Sequence, residues 1–233
     1  MTSLSPDEWQ VILLSLKVSL IAVGGTLPFA FAVAWLLARV RFPGKLLLDA
    51  LVHLPLVIPP VVTGWLLLIV FGRTGPAGRF LEENFGLTLM FRWTGAALAA
   101  AVMALPLMVR AMRLSIEAVD IRLEQAARTL GASRWHAFLT IALPLSLPGV
   151  VAGAVLGFAR SLGEFGATIS FVSNIPGETR TIPLAIYAAL QVPEQETVVA
   201  RLALVSILLS FIALIASELI VRRRRAAGSF HVL

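Results

Sequence analysis

The chain has 233 residues, 58% of them hydrophobic and 14% charged, with a formal net charge of +6, three histidines and no cysteine. A water-soluble domain of that length has too little interior for so much apolar side chain, so the composition places the chain in a lipid bilayer. The lack of cysteine excludes disulfides, thiolate metal sites and a thiol nucleophile, and the few histidines leave little to build a metal centre from; the basic surplus reads as residues flanking membrane spans, not as a nucleic-acid surface.

The apolar residues come in runs of membrane-crossing length instead of alternating short strands, which predicts an all-α membrane protein: one polytopic bundle of about five transmembrane helices, a single domain over 1–233. The first span is expected at about 11–38. No basic stretch precedes it and no small-residue cleavage site follows, so it is read as a retained span and not a signal peptide. Lys17, near its outer end, has a stem long enough to carry its ammonium to the interface. A basic turn with Pro43 and Gly44 leads to a second span at about 51–71, which begins HLPLVIPPVVTG. The polar segment 72–93 ends at Trp93, a fitting interfacial anchor. A third span follows at about 94–112, then a charged loop at about 117–144, then a fourth span at about 148–171. The apolar patch from Leu184 to Leu190 is too short to cross a bilayer, which takes roughly 20 helical residues, and is read as an interfacial or re-entrant element. The fifth span, about 198–221, runs into Arg222, Arg223, Arg224 and Arg225.

Lysine and arginine near span ends stay on the cytoplasmic side. Placing the C-terminal arginines inside puts Arg39, Arg41, Lys45, Arg110, Arg113, Arg122, Arg128 and Arg134 there too, against Arg73, Arg79, Arg92, Arg180 and Arg201 outside. The N-terminus is then expected outside, the C-terminus inside, and the 117–144 loop in the cytoplasm.

Within that loop Leu123, Ala126, Ala127 and Leu130 recur at helical spacing, with Glu124, Gln125 and Arg128 on other faces. Gly131 is placed as a left-handed helix cap, Ser133 as the N-cap of a second piece from Arg134 to Ile141, and Pro144 as its stop. The prediction is two short helices joined at a glycine, with one small, apolar side that lets another surface approach closely. A helix lying on lipid headgroups is the alternative, although such helices favour larger apolar residues.

Glu124, Ala126, Ala127, Gly131 four residues later, and Ile141, Leu143 and Pro144 resemble the EAA loop of the membrane subunits of binding-protein-dependent ABC importers, with Gln125 where the first alanine stands. FPGKLLLDALVHLPLVIPPVVTGW and EFGATISFVSNIPGETRTIP extend the likeness to the molybdate permeases, with sulfate and tungstate permeases as near relatives. The resemblance implies a type I ABC importer transmembrane domain in the bacterial cytoplasmic membrane, paired with a second copy of itself, two cytoplasmic ATPase subunits and an extracytoplasmic oxyanion-binding protein. It implies that the loop is a coupling helix: Glu124 for polar contacts in the ATPase cleft, Ala126 and Ala127 for close seating, Gly131 for the bend, with Ser133 and Arg134 opening the second piece. No GxxxxGK[ST] phosphate loop occurs in the chain, so no cofactor is expected on it, and ATP and Mg belong to the partner.

Three places suit a translocation path, each with a structural alternative. Pro55, Pro59 and Pro60 remove backbone donors early in the second span, for a cavity-lining break or a plain packing kink. Arg160 and Glu164, four residues apart, pair with each other or line the outer passage. Arg180 lies in an outer segment fit for a gate or for the binding protein. Gly149, Gly153, Gly157 and Ser161 form a small-residue ladder for helix packing, against another span or across a dimer axis. A stand-alone ion-coupled carrier would need intramembrane acids, and apart from Glu164 the spans hold few, chiefly Glu218; for an enzyme no carboxylate pair, metal spacing or nucleophile triad stands out.

Overall fold

The structure is a computed structural model that describes residues 4–228. Its first helix, α1 (Pro6–Arg39), is opened by a reciprocal cap: Ser5 Oγ accepts the Glu8 N–H at 3.2 Å and the Glu8 carboxylate accepts the Ser5 N–H at 2.7 Å. At about 1.5 Å per residue its 34 residues outrun the hydrocarbon core, so both ends emerge into polar surroundings. Lys17 places its ammonium 3.8 Å above the Trp93 ring, so the cation is held on an aromatic face.

The remaining helices are α2 (Lys45–Val57), α3 (Pro60–Phe71), α4 (Pro76–Phe85), α5 (Trp93–Glu117), α6 (Ile121–Thr129), α7 (Arg134–Ala137), α8 (Leu143–Leu162), α9 (Gly166–Val172), α10 (Ile182–Leu190) and α11 (Glu196–Gly228). Among the described residues four stretches are long and apolar enough to cross a membrane, Pro6–Arg39, Trp93–Glu117, Arg134–Leu162 and Glu196–Ala216, and α2 with α3 adds a fifth if that bent pair counts as one span. Arg222, Arg223, Arg224 and Arg225 continue α11 as backbone; their side chains and that of Glu218 lie outside the described residues.

Helix α5 is the axle. Its buried Ala96, Ala99, Ala100 and Ala104, with Met103, Met108 and Met112, let α1 and α8 close onto it. From α8 the ladder Gly149, Gly153, Gly157 and Ser161 is buried, and the three glycines face α5 of the same chain. A methyl on Gly149 would overlap the Ser115 side chain, whose hydroxyl accepts the Gly149 N–H at 3.2 Å and donates to the Ser146 carbonyl at 3.3 Å. At the other end of the bundle Glu8 pairs with Arg201 at 2.9 Å, and Ser15 Oγ accepts the Ile182 N–H at 2.7 Å, which ties α10 to α1.

Three expectations change. The second span starts earlier than 51, because α2 begins at Lys45; the break expected at the prolines falls at Ile58 and Pro59, where α2 and α3 are bent by 116°. The fourth span is earlier than 148–171. Pro144 does not stop the loop's second helix; a π turn, Phe138–Ala142, carries the chain through, the Leu143 N–H reaching the Phe138 carbonyl, so a continuous helical stretch runs from Arg134 to Leu162 and breaks there. Widening the ladder by one residue brings Pro144 to the start of a new register, where its missing donor costs little. The polar segment 72–93 contains the amphipathic α4, capped by Gly86 at φ +63°.

Candidate functional site: the exposed loop and the broken helices

Helix α6 has no buried residue. Asp120 caps its start, accepting the Arg122 N–H at 2.9 Å, and its end closes by two bonds, Ala132 N–H to the Ala127 carbonyl at 3.0 Å and Gly131 N–H to the Arg128 carbonyl at 3.1 Å. That pair is a Schellman closure, and it needs Gly131 at φ +95°, a left-handed backbone that a side chain resists; nothing lies within 4 Å of where its Cβ would stand. Ser133 Oγ then accepts the His136 N–H at 3.1 Å and opens α7.

The helix has two opposed faces. Leu123, Ala126 and Leu130 point out, with Ala127 beside them; Leu123 is 48% and Leu130 89% exposed. Ile121, Glu124, Gln125 and Arg128 turn toward the last turns of α1. Glu124 is therefore not on the small, apolar side: its carboxylate lies 3.1 Å from the Arg39 guanidinium, both side chains under one-fifth exposed, and Arg39 also donates to the Val119 carbonyl at 3.0 Å. Arg39 tethers the loop to the end of α1. Beside this tether four rings gather, Phe31 and Trp35 from α1 with Trp135 and Phe138 from the loop; Trp35 meets Phe138 edge-on at 4.8 Å and Trp135 stacks on it at 5.1 Å.

The second cluster lies where two helix breaks meet. In an unbroken helix the carbonyls of Pro55 and Leu56 would be taken by residues 59 and 60, both prolines without a donor. Pro55 itself sits inside α2, while Pro59 and Pro60 form the break and are exposed. Packed against that break is the gap between α8 and α9: a Cβ on Gly166 would reach Pro60, and one on Gly64 would reach Ala167 and Ser170. Helix α8 ends at Leu162, so Glu164 stands in the gap and not on the helix face expected from its spacing. Its buried carboxylate pairs with Arg160 at 2.6 Å and accepts the Ala167 N–H at 2.8 Å, so it fixes the start of α9. Thr63, buried in the first turn of α3, has no hydrogen-bond partner for its hydroxyl.

Arg180 lies apart from both clusters. Its Nε donates to Asn174 at 2.9 Å in a loop organised by the buried Thr179, whose hydroxyl donates to the Ser173 carbonyl and accepts the Ile175 N–H. Among the described residues no group of three or more metal-ligating side chains comes together.

Sequence reasoning missed Arg39 as the Glu124 partner, the ring cluster, and a charge cluster joining α2 to α5, in which Arg113 pairs with Asp49 at 3.1 Å and Glu117 at 2.8 Å while His53 leans on Asp49 at 3.2 Å. Phe31 and Trp35, one turn apart beside the terminal Arg39, were the available signal of an interfacial girdle.

A helical bundle of four to five apolar spans with this exposed two-helix loop is the architecture of the membrane domains of type I ABC importers. Residues 27–226 match the family described as binding-protein-dependent transport system inner membrane component, and the chain belongs to that family. It is 61% identical over 226 residues to the molybdenum transport system permease protein ModB of Escherichia coli (strain K12), covering 97% of this chain and 99% of that protein. To the ModB of Haemophilus influenzae it is 59% identical over 216 residues, 93% of this chain and 94% of that one. Among solved structures the MetNI methionine ABC transporter, in inward-facing conformations, aligns with a TM-score of 0.73 at 18% identity over 95% of this chain and 99% of that one, a likeness of fold.

Proposed function

We propose that the chain is the membrane-spanning permease of an ATP-driven importer for molybdate, working as two copies with two ATPase subunits and an extracytoplasmic binding protein. The observation that carries the reading is the outward, apolar face of α6, which stays uncovered among the described residues. Leu123, Ala126, Ala127 and Leu130 seat in the ATPase subunit, which holds the ATP and Mg; Gly131 sets the angle to α7, and Ser133 and Arg134 begin the piece that leads straight into α8. Because α7, the π turn and α8 form one helical stretch, displacement of the loop is passed to a span without an intervening hinge. Glu124 acts from the other side, holding α6 to α1 through Arg39.

ATP binding then draws the two loops together and turns the path outward, and hydrolysis resets it, each state being favoured by different contacts at the loop. The path runs by the break at Pro59 and Pro60. Carbonyls left without donors cannot face hydrocarbon and are covered by the second copy or by water in a passage. Arg160, tied to Glu164, supplies a cation beside that break for an oxyanion in transit, and Arg180 serves the outer mouth. The clustering of Arg39, Arg41 and Lys45 around one cleft supports placing that end in the cytoplasm, with the N-terminus outside.

The test is ATPase activity of the reconstituted complex with binding protein loaded in turn with molybdate, tungstate and sulfate. Molybdate is expected to stimulate most; equal stimulation by all three removes the substrate assignment, and none with any of them removes the coupled importer.

A further inference from the structure

Between the last turns of α1 and the inward face of α6 and α7 lies a cleft of about 830 Å³, within the range of sites that take small organic ligands. Its wall is aromatic, Phe31, Trp35, Trp135 and Phe138, continued along α1 by Ala32 and Leu36. Its rim carries Arg128 and Arg134, both exposed and neither in an ion pair among the described residues. The lining's one acid, Glu124, is already neutralised by Arg39.

This combination selects an amphiphile with an apolar body and an anionic head. A soluble oxyanion has no use for four rings, and the ATPase would cover the opposite face of α6. The cleft also opens where α1 reaches the end of its apolar run at Arg39, the depth at which headgroups lie. We propose that it binds one anionic phospholipid, its phosphate held by Arg128 and Arg134 and the upper part of an acyl chain laid over Trp35 and Trp135. The lipid would bridge α1 and the loop on the side away from the ATPase, so the loop's freedom to move depends on the membrane's anionic lipid. The inference rests on reading this loop as lying at a membrane surface.

Native mass spectrometry of the permease–ATPase complex, purified in mild detergent from membranes containing phosphatidylglycerol and phosphatidylethanolamine, tests it. The wild-type complex is expected to keep one phosphatidylglycerol per permease copy. Arg128→Gln with Arg134→Gln should cut that retention about tenfold, as expected for losing charge-assisted bonds to a phosphate. Ala32→Trp, which fills the cleft without touching charge, should do the same, and Arg122→Gln, the same charge change on α6 outside the cleft, should leave it intact. Retention unchanged in both cleft variants, lost equally in Arg122→Gln, or showing no preference for phosphatidylglycerol overturns the site. The same spectra score ATPase association separately: lipid retained without any bound ATPase sinks the coupling reading and leaves this one standing, and the reverse pattern sinks only the lipid site.

Discussion

Gly131 and Glu124 are both in the loop motif, yet they depend on different physics. Around Gly131 there is open space, so the cost of replacing it is conformational: a left-handed backbone costs an ordinary residue roughly 1–2 kcal/mol, and a β-branched one more. Gly131→Val is expected to weaken association with the ATPase about tenfold, measured by co-purification, while Gly131→Asn, whose side chain tolerates that region, keeps most of it. Glu124 depends on a partner 85 positions away in the chain. Arg39→Gln and Glu124→Gln should each speed hydrogen exchange across residues 121–130, corresponding to about 1–3 kcal/mol for a partly buried pair, and the double variant should add little to either single one. Additive effects would mean that the two side chains act independently.

At the scale of elements, helices in this molecule are joined by devices of different legibility. The caps at Gly131 and Ser133 are local, built from residues within about a turn of each other, so the helix–glycine–helix loop is legible in their spacing alone. The π turn at Phe138–Ala142 has no such pattern; Pro144 has the look of a stop, and only the widened ladder explains how the helix passes it. The bend between α2 and α3 was legible in Pro59 and Pro60, but not its size, because the angle is set by how α3 packs against α9 through Gly64 and Gly166. Packing of α8 on α5 yields an ordered prediction. Gly149→Ala drives a methyl into Ser115 and should destabilise by about 1–3 kcal/mol, whereas Gly153→Ala meets Met108 backbone and a pliable Met112 side chain at 3.1 Å and should cost less. Thermal unfolding in detergent reads the difference, and a reversed order would mean that α8 sits differently on α5.

For the whole molecule, the apolar runs announced a bundle and the loop motif announced its trade, since both are written in consecutive residues. What brings distant segments together was not written there: Arg39 against Glu124, Arg113 between Asp49 and Glu117, Glu8 against Arg201. These pairs join segments far apart in the chain near helix ends, while the packing of α8 on α5 is left to small residues. The central claim is that movement imposed on the outer face of α6 becomes movement of the spans. Molybdate uptake into proteoliposomes holding the permease and its ATPase, with loaded binding protein outside and ATP inside, tests it most directly. Ala126→Trp is the variant to compare, since that position is exposed and the change leaves the bundle alone. The account predicts ATP-dependent uptake by the wild type and none by Ala126→Trp; undiminished uptake by the variant, or uptake without the ATPase, would contradict it.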